Sequence, residues 1–163
     1  ICYQLHAAAA VVRRYGGSIH HVKPHGALYN RSATDDEQCA ALYQAIVDFD
    51  ESVSVFGLPN TLHEVYAKTV GIAFLSEGFG DRTYQKVNKL SDRKAHGSLL
   101  SNPKDVVAQL TLLSQGKIKT IDEGLQPVSV ETICIHGDNR NLTEILTVVG
   151  EHFEILKPHD IHK

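Results

Sequence analysis

Methionine is missing altogether from the 163 residues, and the chain opens Ile-Cys-Tyr-Gln, so the sequence reads as a fragment of a longer polypeptide. Cysteine is scarce. Cys2, Cys39 and Cys134 are odd in number, widely spaced and form no CxxC pair. That pattern argues against a disulfide framework or a zinc knuckle and for reduced thiols in a cytoplasmic protein. No apolar run approaches the roughly 20 residues a membrane span needs, and no secretory signal opens the chain. Neither sign of charge is in excess: a net charge of -3 and an isoelectric point near 6.4 give no basis for nucleic acid or an anionic membrane as partner. A Walker or dinucleotide-binding fingerprint is lacking, as is the nucleophile elbow of a Ser-His-Asp hydrolase. Internal repeats and interdomain linkers are lacking too.

What is there is a single domain, long enough to bury a proper core, in which short apolar strands alternate with helices. Residues 1–15 carry a helical stripe (Leu5, Ala8, Ala9, Val12) that Gly16-Gly17 ends. The strand Ile19–Val22 leads into Lys23-Pro24-His25-Gly26. A helix follows from the capping box Thr34-Asp35-Asp36-Glu37 to about Phe49, with Ala40, Tyr43, Ile46 and Val47 buried. Val53–Phe56 is a strand, Thr61-Leu62-His63-Glu64 opens a helix stopping at Gly71, and Ile72–Leu75 is the third strand. Residues 85–101 are polar and aperiodic, an excursion or lid. Asn102-Pro103 starts a helix ending near Gly116. Ile118–Ile121 and Val128–Val130 flank a hairpin turn. Thr132–His136 is a strand, Asn141 opens a last helix stopping at Gly150, and Phe153–Leu156 is a weak final strand. The echo of Lys23-Pro24-His25 in Lys157-Pro158-His159 is taken as coincidence. This order predicts parallel β/α units with right-handed crossovers.

The chemistry collects at strand exits, where sites of parallel β/α folds lie. Lys23 and His25 follow the first strand, Glu77, Asp81 and Arg82 the third, and His136 and Asp138 the last well-defined one. Thr132, Cys134 and His136 alternate and so share a face. His136 is open to three roles: a metal ligand oriented by a carboxylate, a general base, or a hydrogen-bonded core histidine. Arg82 beside Asp81 could fork onto a carboxylate or phosphate, or form a loop salt bridge. Gly78 and Gly80 would allow a ligand close to the backbone. Cys134 is read as packed rather than nucleophilic.

Taken together, HVKPHGALYN (21–30), EGFGDRTY (77–84) and ETICIHGD (131–138) closely resemble the motifs of the LamB/YcsF family, the A subunits of prokaryotic 5-oxoprolinase. The match is ordered and takes in Gly57-Leu58, Gly97, Asn102-Pro103 and Gln109. Gly78 and Gly80 depart from the family's usual Val and Ala, and Ser91-Asp92-Arg93-Lys94 keeps only Arg93 of a Val-Pro-Arg-Ser-like segment. The family's N-terminal Asp-Leu-Gly-Glu and His motifs do not occur, so a partial barrel is expected.

The resemblance implies an α/β fold, a (β/α) barrel of the seven-stranded glycosidase/deacetylase-like type. It implies ATP-dependent opening of 5-oxoproline (pyroglutamate) to L-glutamate together with B and C partner subunits, with ATP bound by those subunits or shared with them. It places Lys23, His25, Tyr29, Asn30, Glu77, Asp81, Arg82, Tyr84, His136 and Asp138 in the pocket. Opening a lactam needs charge stabilisation at the carbonyl oxygen and protonation of the leaving nitrogen. Lys23 and Arg82 are expected to hold anionic groups, and His25, with Asp81 or a His136–Asp138 pair, to move protons. Tyr29, Asn30, Glu77 and Tyr84 are expected to bind substrate. The alternatives are a divalent-metal-dependent carbohydrate deacetylase and a non-catalytic subunit that binds partner proteins. A homo-oligomer is compatible with either.

Overall fold

The computed structural model describes residues 1–156. The Lys157-Pro158-His159 echo lies outside the described residues. Four strands, β1 (His21–Val22), β2 (Ser54–Gly57), β3 (Phe74–Phe79) and β8 (Thr132–Cys134), form a parallel sheet in the order β1-β2-β3-β8. Helices α1 (Cys2–Arg14), α3 (Asp36–Val47), α4 (Leu62–Val70) and α6 (Leu142–His152) flank it in chain order, making the curled parallel sheet of a partial β/α barrel. Between β3 and β8 the chain leaves this sheet. It builds a second one from β4 (Tyr84–Lys86), β5 (Lys89–Leu90), β6 (Lys117–Thr120) and β7 (Gly124–Pro127), ordered β5-β4-β6-β7, with α5 (Pro103–Ser114) inserted. No helix among the described residues is long and apolar enough to cross a membrane.

Local signals explain most boundaries. Asp35, not Thr34, caps α3: its carboxylate accepts from the Gln38 amide at 3.1 Å and from the Gln38 side chain at 2.8 Å, so the cap falls one residue later than expected. The helix consequently buries Cys39 and Leu42 with Tyr43 and Ile46. Thr61 caps α4 and Gly71, at φ +77°, ends it in the left-handed conformation. Asn102 caps α5 with Pro103 at its first position. Gly26–Ser32 forms a short helix, α2, in place of the expected loop, and residues 153–156 form no strand. The excursion is more ordered than its polar sequence suggests, because Arg82 donates to the Ser91 carbonyl (2.7 Å) and the Ser98 carbonyl (3.2 Å) and pins it from inside.

Two apolar clusters divide the interior. One gathers Val22, Cys39, Leu42, Tyr43, Ile46, Val53 and Val55 between β1, β2, α3 and α4. The other packs Phe79, Tyr84, Val106, Leu110, Leu113, Ile118 and Ile145 around α5 and the second sheet. Gly78 and Gly80 face this second cluster. A β-carbon on Gly80 would lie 2.9 Å from Leu110, and one on Gly78 would lie 3.2 Å from Leu113 and Ile133. These glycines therefore admit helix and strand side chains, not a ligand. Similarly, a β-carbon on Gly57 would meet His63 and Phe74 at 2.8 Å.

His63 joins α4 to α2 in a fully buried contact: Nε2 lies 2.8 Å from the Ser32 hydroxyl, which itself donates to the Leu28 carbonyl at 2.6 Å. Nδ1 has no partner among the described residues, and burial lowers the imidazole pKa from 6.5 to about 4. Between those values the unfolded chain binds a proton that the folded chain refuses, so stability rises with pH across that window. Acidifying from pH 6.5 to 4 is expected to cost on the order of 3 kcal/mol through this group. His63→Gln should flatten that part of a stability-against-pH curve measured by urea unfolding. An unaltered slope would contradict a neutral, buried His63.

Candidate active site

At the C-terminal ends of β1, β3 and β8 lies a cleft of about 210 Å3. The β1 exit supplies Lys23, Pro24, His25 and Gly26, β3 supplies Phe79, and the β8 exit supplies Cys134, Ile135, His136 and Gly137. Parallel pairing fixes this convergence: Phe79 stands beside Cys134 in register, and the Gly80 amide donates to the Cys134 carbonyl at 2.9 Å.

Behind the cleft wall sits Asp81, fully buried. Its Oδ1 is 2.8 Å from His136 Nδ1, and Oδ2 accepts from the His136 amide at 3.0 Å and from the Asn139 side chain at 3.2 Å. Burial works to raise the Asp81 pKa, but the hydrogen bonds from the His136 ring and amide and from Asn139 outweigh it, and the net shift is downward. An ionised Asp81 beside Nδ1 favours the His136 tautomer that carries its proton there and leaves Nε2 as the nitrogen free to accept one. The ring also stacks on Phe79, centroids 5.7 Å apart.

In the same cleft, Lys23 Nζ lies 2.6 Å from Glu77 Oε1, the two side chains 15% and 3% exposed. Burial opposes the ammonium charge, yet the hydrogen bond and charge of Glu77 prevail and the Lys23 pKa is raised. Lys23 also rests 5.8 Å from the Tyr29 ring centroid and 5.3 Å from that of Phe79. Burial, reinforced by the charge of Glu77, pushes the Tyr29 phenol up, so Tyr29 stays protonated.

Several expected residues stand elsewhere. Glu77 lies within β3, not past its end. Arg82 forks onto two backbone carbonyls of the excursion, not onto a carboxylate or phosphate, because Asp81 is already taken by His136. Tyr84 is buried and its hydroxyl accepts from the Phe79 amide at 2.7 Å, supporting the strand end from below. Asn30 is exposed and bonds back to the Gly26 carbonyl. Asp138 is exposed and pairs with Arg93, so the carboxylate partner of His136 is Asp81. No residue of 85–101 lines the cleft. Asn139 and Gln109 emerge as buried supports: Gln109 donates to the carbonyls of Phe79 (2.6 Å), Gly80 (3.2 Å) and Arg82 (2.8 Å). For Asn139 the sequence signal is confined to its place in a strand exit.

Cofactor fit can be judged from the donors. Among the described residues no three His, Cys, Asp or Glu side chains group as metal ligands, so these residues do not by themselves fit a divalent ion.

On a parallel β/α fold, a His–Asp pair and a charged Lys thus stand together at the strand exits, the position at which sites of such folds lie. The sequence pattern of the LamB/YcsF family matches residues 1–157, and the chain belongs to that family. It is 36% identical over 155 residues to the 5-oxoprolinase A chain of Thermus thermophilus, covering 94% of this chain and 62% of that protein. To the 5-oxoprolinase A chain of Shouchella clausii it is 37% identical over 139 residues, covering 85% and 55%. The crystal structure of the lactam utilization protein from Thermus thermophilus superposes with a TM-score of 0.81 at 30% identity, covering 93% of this chain and 62% of that one. The chain thus spans about three fifths of the length of these relatives.

Removing the Lys23 ammonium leaves the Glu77 carboxylate buried without its counter-charge. Lys23→Met is therefore expected to destabilise the fold by about 3 kcal/mol, and Lys23→Met with Glu77→Leu to recover most of that loss. Urea-unfolding midpoints check this, and a single-mutant cost below about 1 kcal/mol would show the pair to be solvent-screened.

Proposed function

We propose that the chain forms part of the A component of an ATP-dependent 5-oxoprolinase, a hydrolase that opens the cyclic amide of 5-oxoproline to L-glutamate in company with B and C subunits. The observation that carries this reading is the Asp81–His136 pair, set in the wall of a cleft that also presents the Lys23 ammonium. The relatives named as 5-oxoprolinase A chains and the lactam utilization protein supply the substrate class.

In this reading water attacks the lactam carbonyl carbon while His136 Nε2 takes one of its protons. Asp81 stabilises the imidazolium that results. The oxygen of the tetrahedral intermediate gathers negative charge and is met by an Nζ–H of Lys23, whose own charge Glu77 keeps in place. Collapse breaks the C–N bond. The ring nitrogen receives the proton from His136, and the products are a carboxylate and an amine. His25, exposed at the rim, receives the substrate carboxylate or relays protons to solvent. ATP is assigned to residues beyond this cleft, the B and C subunits foremost.

Glutamate release from 5-oxoproline by the full chain with its partner subunits tests the assignment. His136→Ala and Asp81→Asn should each lower kcat at least about 100-fold with a smaller change in KM. Undiminished glutamate formation in both variants would refute the proposal.

A further inference from the structure

We infer that Asn139 is a positioning residue that commits His136 to a single tautomer and ties that choice to the 85–101 excursion. This deepens the reading of Asp81–His136 as the proton-transfer pair and rests on it. Asn139 is 4% exposed and does not line the cleft, so it touches no substrate. Its side-chain amide is nonetheless fully employed. Oδ1 accepts from the Asn141 amide at 3.3 Å, which sets which end of the side chain is oxygen. Nδ2 then donates twice, to Asp81 Oδ2 at 3.2 Å and to the Leu100 carbonyl at 2.9 Å. Leu100 closes the triangle by donating its own amide to the Asp81 carbonyl at 2.8 Å.

The chemistry of that triangle is specific. The other donors to the Asp81 carboxylate are the ring and the backbone amide of His136. Asn139, in the same strand exit as His136, also donates to the Leu100 carbonyl, and so it is the described donor that ties the carboxylate to the excursion. With Oδ2 held, Oδ1 faces Nδ1 and keeps that nitrogen protonated, and Nε2 remains the base. Without Asn139 the His136 amide alone holds Oδ2, the carboxylate turns more freely about its own bond, and the preference of the ring for one tautomer weakens. An Asp at position 139 would have the same shape but would lack both donors and set a second carboxylate against Asp81.

The test reads the imidazole directly and needs no substrate. In the 15N-labelled full chain, the ring nitrogens of His136, assigned by their loss in His136→Gln, should report Nδ1–H as the sole tautomer of the neutral ring. Asn139→Ala and Asn139→Asp should both populate the Nε2–H form to a comparable share. Gly57→Ala, which strains the packing of His63 and Phe74 away from the pair, should leave the ring signature unchanged. The isosteric Asp variant carries the measurement if the Ala variant fails to fold. With partner subunits and 5-oxoproline, kcat should fall about 10-fold in both variants with KM within about twofold. A wild-type ring signature in the Asn139 variants, or an equal change in Gly57→Ala, would overturn the inference. If the signature shifts as expected but no form opens the lactam, the positioning role stands and the assignment of function falls.

Discussion

Burying the carboxylate of Asp81 is the constraint from which the rest of the site follows. A fully enclosed carboxylate costs several kcal/mol unless its lone pairs are met, and here they are met by donors from His136 and Asn139, more than fifty residues away in sequence. Satisfying that one group brings the exits of β3 and β8 together and orients the imidazole. It also explains why the excursion between those strands is ordered, since Leu100 and Asn139 complete the same set of hydrogen bonds.

A second buried charge is handled differently. Glu77 is neutralised by Lys23, so the cleft presents an ammonium together with the His136 imidazole. The ammonium keeps its proton because the partner carboxylate outweighs the cost of desolvation. Two carboxylates thus play two roles, one fixing a ring and one fixing a cation, and neither is spent on solvent. That division suits an amide carbonyl, which needs positive character at oxygen and a base on the attacking side.

Much of this is legible in the residues alone. Caps and glycine stops fall where Asn102-Pro103 and Gly71 place them, because such signals act within a turn of chain. The gathering of Lys23, His25 and His136 at one mouth follows from the parallel order of strands. What cannot be read is which long-range partner each polar group takes. Asp138 is next but one to His136 in sequence, yet the strand exit turns it to solvent, while Asp81 arrives from β3. Arg82 looks like an anion binder by type and proves to be a brace for backbone carbonyls, a role invisible until the excursion folds over it. Helix α2 is hidden by Pro24 and Gly26, which read locally as a turn. Thr34 imitates a cap because Asp35 and Gln38 satisfy the same pattern one step on.

Alternation along β3 has a further consequence. Glu77 and Phe79 look towards the cleft, and Gly78 and Gly80 are pressed by α5 and β8. Sliding this strand one place against its neighbours would drive an acid into the leucine layer and leave a glycine to line the mouth. The misthreaded alternative is thereby penalised twice, by solvation and by a void. The side chains assigned to catalysis act as proofreaders of strand pairing before any substrate arrives.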